Sequence, residues 1–291
     1  MTPRPLALRA TDGRELAAHW FDPEGLGRGA IVINGATGFP QTFYFKFAQY
    51  LAGRGFGVLV YDYRGMGKSA PPKLASERAR MSDWAVFDMP AALAETAARS
   101  QGLPVFTIGH SIGGQFIGLL RNHSLARAHV QIAASVGYWR WELAPFKYLA
   151  WWFWRVHGPV LLALVGYVPS GGGWSGLPLP RGVYEEWRRW CLRPGHFGPD
   201  LETYLSPVNV FAEIRAPLLT VGFADDPIAT RRTVEELNRF FPNARRESRW
   251  YSPRDVGSRR IGHEGFFSSR HCDGLWKPVA DWIEAQAGGA A

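Results

Sequence analysis

Short apolar runs recur along this chain, each closed by a loop and most followed by helical periodicity, and that alternation restricts its fold more than any other feature. Ala30-Ile31-Val32-Ile33 leads into Asn34-Gly35-Ala36-Thr37-Gly38 and helix-like spacing over 43–52. The run 57–61 leads into a glycine-rich loop and a helix over 82–99, and the run 105–108 into a tight turn at Ser111 and a helix ending near Arg121. A further strand is expected over 129–134. The pattern closes with strand 217–221, helix 230–240, strand 247–251 and helix 275–286. Strands apolar along their whole length are buried on both faces, so they predict a mostly parallel sheet with helices on both sides. Two shorter segments, 6–9 and Glu15–Phe21, flank Thr11-Asp12-Gly13 and read as a hairpin. They add an antiparallel edge, for an eight-stranded α/β fold.

The alternation is suspended between Val136 and Asn209, a segment that contains eight of the thirteen tryptophans. No internal repeat or low-complexity linker accompanies it, which favours an insertion over a second independent domain. The expected organisation is a core of residues 1–137 and 209–291 with a helical, tryptophan-rich cap over 138–208. Its longest apolar stretch, 146–168, is interrupted by Lys147, Arg155, His157 and Pro159. A membrane-spanning helix needs about 20 mostly uncharged residues, so a cap helix pair is expected instead, with interfacial membrane contact as the alternative.

The formal charge of +8 would attract anionic partners. Its arginines are scattered or occur in short pairs such as Arg231-Arg232 and Arg259-Arg260, without a nucleic-acid-binding module, so nucleic acid is not expected as a partner. Only two cysteines occur, Cys191 and Cys272, without metal-ligand spacing. With no apolar signal-peptide core after Met1, they point to a reducing, cytoplasmic setting. No metal, phosphate-loop or dinucleotide motif is present, so no cofactor is expected.

Chemistry concentrates in three places. Gly109-His110-Ser111-Ile112-Gly113-Gly114 lies where an apolar strand meets a helix, the setting in which a serine hydroxyl is forced outward on a strained turn. A serine needs a base, and the base an orienting acid. His263, in Ile261-Gly262-His263-Glu264-Gly265, follows the last strand and every acid candidate, and is the expected base; His271 is the alternative, and His110 is read as structural. The acid should follow strand 217–221, where Asp225 and Asp226 adjoin. Asp226 is preferred for its place before Pro227, Asp225 stays open, and Asp200 and Glu213 are weaker choices.

With these motifs the chain resembles the α/β-hydrolase superfamily, and within it the predicted hydrolases related to serine aminopeptidase-like lipases and esterases. The resemblance also rests on Asn34-Gly35-Ala36-Thr37-Gly38 and on Tyr61-Asp62-Tyr63-Arg64-Gly65-Met66-Gly67-Lys68-Ser69, the latter mainly architectural. One departure is Asn34-Gly35, where many members carry His-Gly. The resemblance implies an oxyanion hole made by the backbone N–H groups of Ala36 and Ile112, with Thr37 as the alternative first donor.

The expected activity is hydrolysis of an ester or thioester through an acyl-serine intermediate, on a small hydrophobic substrate whose acyl or alcohol group lies under the cap. Trp151 and Trp152 are among the aromatic residues expected to line that tunnel or pack the cap. An amide or peptide hydrolase with the same triad is weaker, because the cap shows no acidic pair to hold an amine. A non-catalytic lipid or small-molecule binder on the same fold is the reading from another class.

Overall fold

The computed structural model describes residues 2–288. In chain order the strands are β1 (Arg4–Arg9), β2 (Glu15–Phe21), β3 (Gly29–Asn34), β4 (Phe56–Tyr61), β5 (Val105–His110), β6 (Ala128–Ile132), β7 (Tyr167–Val168), β8 (Leu179–Pro180), β9 (Pro217–Phe223) and β10 (Arg245–Tyr251). Eight of them form one sheet in the order β1-β2-β4-β3-β5-β6-β9-β10. The β1–β2 hairpin joins β4 antiparallel, and every pairing from β4 to β10 is parallel.

Every residue of β3, β4, β5 and β6 is buried, which is why these segments read as unbroken apolar runs. Ala30 and Val32 face one core and Ile31 and Ile33 the other, as the two-residue period of a strand requires. Helices α1 (Phe45–Gly53) and α9 (Lys277–Gly288) cover the second face through Phe47, Leu51, Val279 and Ile283. Each such side chain contributes about 1.5–3 kcal/mol by leaving water. The first face is covered by α3 (Met89–Arg99) and by α4 (Ile112–Gln115), while α2 (Met81–Asp83) leads into α3. At the far edge, β10 begins with Arg245-Arg246-Glu247 and is exposed there, and its charges discourage pairing with another chain.

The helix expected over 82–99 is interrupted. A wide π turn, Trp84–Asp88, separates α2 from α3, and Pro90 follows it by two residues. The same arrangement recurs at Phe153–His157 before Pro159 and at Cys272–Trp276 before Pro278. Proline lacks the N–H for the regular helical bond and clashes with the carbonyl four residues back, and a locally widened turn accommodates both. The last helix therefore starts at Lys277, after that turn, rather than at 275.

Residues 138–208 leave the sheet between β6 and β9. They supply α5 (Phe146–Trp152), α6 (Gly158–Val165), the β7–β8 ribbon and α7 (Arg181–Cys191). Gly158 lets α6 close on α7: a Cβ there would sit 2.1 Å from the Tyr184 ring, whose hydroxyl donates to the Phe153 carbonyl. The ribbon connection is tied to the loop after β3 by the Leu177 N–H donating to the Gly38 carbonyl at 2.8 Å. The remaining helix, α8 (Arg231–Asn238), is capped by the Thr230 hydroxyl, which accepts from the Thr233 N–H.

Candidate active site

Ser111 sits between β5 and α4 with φ 52° and ψ −115°, a conformation that non-glycine residues rarely adopt. Close approach of the flanking backbone enforces it. A Cβ on Gly113 would lie 2.2 Å from the Asn34 carbonyl oxygen, and one on Gly109 would lie 2.4 Å from Gly113, so only glycine fits at either place. The Asn34 side chain is itself held, accepting from the Tyr61 hydroxyl at 2.7 Å. Asparagine in place of the more usual histidine is thus integrated into the sheet end.

His263 stands in the loop after β10, and its Nδ1 meets Asp226 Oδ2 at 2.8 Å. Asp226 is buried, and its other oxygen accepts from the N–H groups of Ile228 and Ala229 at 2.8 and 3.0 Å. Asp225 is used differently. Its two oxygens accept from the N–H groups of Ile261 and Gly262, at 2.8 and 3.1 Å, and so fix the backbone that carries His263. Burial pulls the His263 pKa down, but the charge and hydrogen bond of Asp226 outweigh it and leave the imidazole above its ordinary value. Burial likewise works to raise Asp226, and its pairing with His263 wins, holding the carboxyl below the usual range.

His110, within the elbow, is fully buried. Its Nδ1 lies 3.0 Å from the Tyr44 hydroxyl and its Nε2 3.0 Å from the His263 carbonyl oxygen. Burial, with the nearby His263 charge, pushes its pKa down to about 3. His110 is therefore neutral, with Nε2–H donating to His263 and Nδ1 accepting from Tyr44.

The Ala36 N–H, expected by resemblance at the oxyanion hole, donates to the hydroxyl of the buried Tyr44 at 2.7 Å. The adjacent residue, Thr37, lines both cavities that reach Ser111, and its buried hydroxyl has no hydrogen-bond partner among the described residues. Ile112 lines the inner of the two.

The inner cavity, about 170 Å³, runs from Ser111 between Phe153, Trp154, Trp187 and Cys191. The outer, about 720 Å³, adjoins His263, Phe39, Phe43 and Arg260. Trp151 and Trp152 line neither: both are almost half exposed to solvent. The tryptophans that line the cavities are Trp154, Trp174 and Trp187.

Comparison with known proteins agrees with this architecture. Residues 28–163 match the family described as "Serine aminopeptidase, S33". A segment of 105 residues is 31% identical to human monoglyceride lipase, covering 35% of this chain and 33% of that protein; the match thus spans about a third of that relative's length. A soluble variant of Saccharomyces cerevisiae monoglyceride lipase, solved with a substrate analog, superposes with a TM-score of 0.68 at 16% identity, over 100% of this chain and 97% of the other. Monoacylglycerol lipase from Paleococcus ferrophilus gives 0.60 at 18% identity, over 94% and 99%. The chain has the α/β-hydrolase fold.

In this fold the other sequence candidates are engaged elsewhere. His271 is buried, with Nδ1 donating to the Gly265 carbonyl at 2.7 Å. Asp200 pairs with Arg189, Arg193 and the Trp190 indole, and Glu213 is exposed. Asp62, in the loop after β4, accepts from the backbone and side chain of Gln41 and from the Lys68 N–H. Its work is architectural. Among the polar residues that the sequence did not single out is Glu142, buried in the wall of the inner cavity with Gln115 and Ser135. A lone acid among Trp139, Trp141 and Phe146 carries no motif, and only the tertiary structure turns it inward.

Proposed function

We propose that this α/β-hydrolase cleaves carboxylic esters, lipid-like ones in particular, through an acyl-serine intermediate. The observation that carries the reading is the Asp226–His263 pair opening onto the same cavity as a serine on a strained elbow. His263 Nε2 takes the Ser111 proton as Oγ attacks the ester carbonyl carbon. The N–H groups of Thr37 and Ile112 receive the oxyanion, each donor worth about 3 kcal/mol. Collapse breaks the bond to the alcohol oxygen, which leaves with the proton from His263, and water activated by His263 then releases the acid. A thioester follows the same route.

Two features support a hydrophobic substrate. The inner cavity is walled mainly by aromatic and aliphatic side chains, and human and yeast relatives are monoglyceride lipases. We take residues 138–208 as the cap that supplies this wall and 1–137 with 209–291 as the core. Tyr148, Trp151, Trp152 and Leu164 stand exposed on the outside of the cap. No helix among the described residues is long and apolar enough to cross a membrane, so we assign this face to shallow contact with a bilayer that delivers lipid. Free thiols at Cys191 and Cys272 fit a cytoplasmic setting.

The test uses a fluorophosphonate probe and a series of p-nitrophenyl acyl esters. Labelling is expected on the wild type and lost in Ser111→Ala. Each buried CH₂ yields about 0.8 kcal/mol, so kcat/KM should rise with acyl length until the cavity is full. No labelling at Ser111 would overturn the mechanism; activity highest on acetate and falling with length would overturn the substrate class.

A further inference from the structure

The two cavities meet at Ser111, and the chemistry of ester cleavage assigns one half of the substrate to each. His263 must hand its proton to the departing alcohol, and His263 lines the outer cavity. The alcohol therefore lies there and the acyl chain enters the inner cavity.

An acyl cavity built for a plain hydrocarbon has no use for a carboxyl group. This one has Glu142 in its wall, 8% exposed, and Oε2 is buried without a hydrogen-bond partner among the described residues. The position is fixed by the chain around it: the Glu142 N–H donates to the Trp139 carbonyl, and the Leu143 N–H donates to the Pro227 carbonyl at 2.9 Å, next to Asp226. The side-chain amide of Gln115, in the same wall, is satisfied by the Ser135 carbonyl and His196. Leaving a polar atom buried and unpaired costs about 1–3 kcal/mol, and a fold pays that cost most readily where a ligand cancels it.

We infer that Glu142 is a specificity-determining residue that hydrogen-bonds a hydroxyl group on the substrate's acyl chain, so that the preferred substrates are esters of hydroxylated fatty acids. This rests on the ester-hydrolase reading above. Burial, reinforced by the charge of Asp226, pushes the Glu142 carboxyl well above its ordinary range. A protonated carboxyl both donates and accepts, the complement of a hydroxyl, whereas a carboxylate would select an amine. Acyl chains without a polar group still fit but leave Oε2 unpaired.

The experiment walks a hydroxyl along a medium-length acyl p-nitrophenyl ester and compares each isomer with the unsubstituted ester and with an amino-substituted one. In the wild type one hydroxyl position should raise kcat/KM about tenfold over the plain ester, the worth of one buried hydrogen bond. Glu142→Gln keeps a donor and an acceptor and should retain most of that ratio. Glu142→Leu should invert it, favouring the plain ester. A wild type that hydrolyses plain esters but prefers no hydroxyl position overturns the inference while leaving the hydrolase reading intact. So does preference for the amino ester, or a hydroxyl preference that persists in Glu142→Leu. If Glu142→Leu fails to fold, the wild-type and Glu142→Gln ratios still decide. Absence of turnover on every ester would instead remove the hydrolase reading itself.

Discussion

Asp225 and Asp226 are neighbours with the same side chain and hold the same histidine loop by different means, one through backbone amides and one through the imidazole. Exchanging each for asparagine separates the two functions. Asp226→Asn removes the charge that holds His263 in the right tautomer and stabilises the imidazolium, and should lower kcat by orders of magnitude. Asp225→Asn leaves that pair in place and weakens the loop, costing about 1–3 kcal/mol in an unfolding titration with a smaller loss of rate. The pH profile carries a second signature. His263 must be neutral to act as base and its pKa lies above the ordinary value of about 6.5, so kcat/KM should fall as pH drops through that raised pKa. Asp226→Asn should move this acidic limb to lower pH. An unmoved limb, or a larger kinetic loss in Asp225→Asn, would transfer the orienting role to Asp225.

At the scale of elements, the helical segment 146–165 has two sides with separate work. Phe153 and Trp154 turn toward Ser111, while Trp151 and Trp152 turn out. Alanine at Trp154 or Trp187 should therefore change the ratio of rates on long and short acyl esters, by enlarging or reshaping the acyl cavity. Alanine at Trp151 should leave that ratio where it was. A shift in acyl preference from Trp151→Ala, with none from Trp154→Ala, would mean that the cap opens a different path to the serine. Successive helical residues lie about 100° apart around the axis, so the single turn running from α5 into Phe153–His157 presents both sets.

For the whole molecule, net charge and the exposed aromatic face act together. A formal charge of +8 should draw the protein to anionic vesicles, and Trp151, Trp152 and Leu164 should then insert shallowly. Co-sedimentation with phosphatidylserine-containing vesicles is expected to fall as salt rises from about 0.1 M to 1 M, where the screening length shrinks from about 10 Å to 3 Å. The double variant Trp151→Ala with Leu164→Ala should weaken binding at every salt concentration. Equal binding to neutral and anionic vesicles would rule out the electrostatic part, and unchanged binding by the double variant would rule out the cap as the contact face.

The strand and helix order, the antiparallel edge, the elbow at Ser111 and the candidacy of His263 were all legible in the sequence. Each rests on short-range physics: two-residue and helical periodicity, and glycine where backbones nearly touch; the wide turns ahead of Pro90, Pro159 and Pro278 were not foreseen. Asp226 over Asp225 was only a preference, since neighbouring residues of one type differ in nothing but where their side chains point. The hydrogen bond from the Ala36 N–H to the Tyr44 hydroxyl, which bears on the choice between Ala36 and Thr37 as oxyanion donor, was not legible, because sequence spacing does not orient the Tyr44 side chain. The same holds for Glu142 and for the division of the tryptophans between cavity wall and outer surface. Burial of a given side chain in the cap depends on how three helices and a two-stranded ribbon settle over the sheet, and those long-range contacts exist only once the tertiary structure has formed.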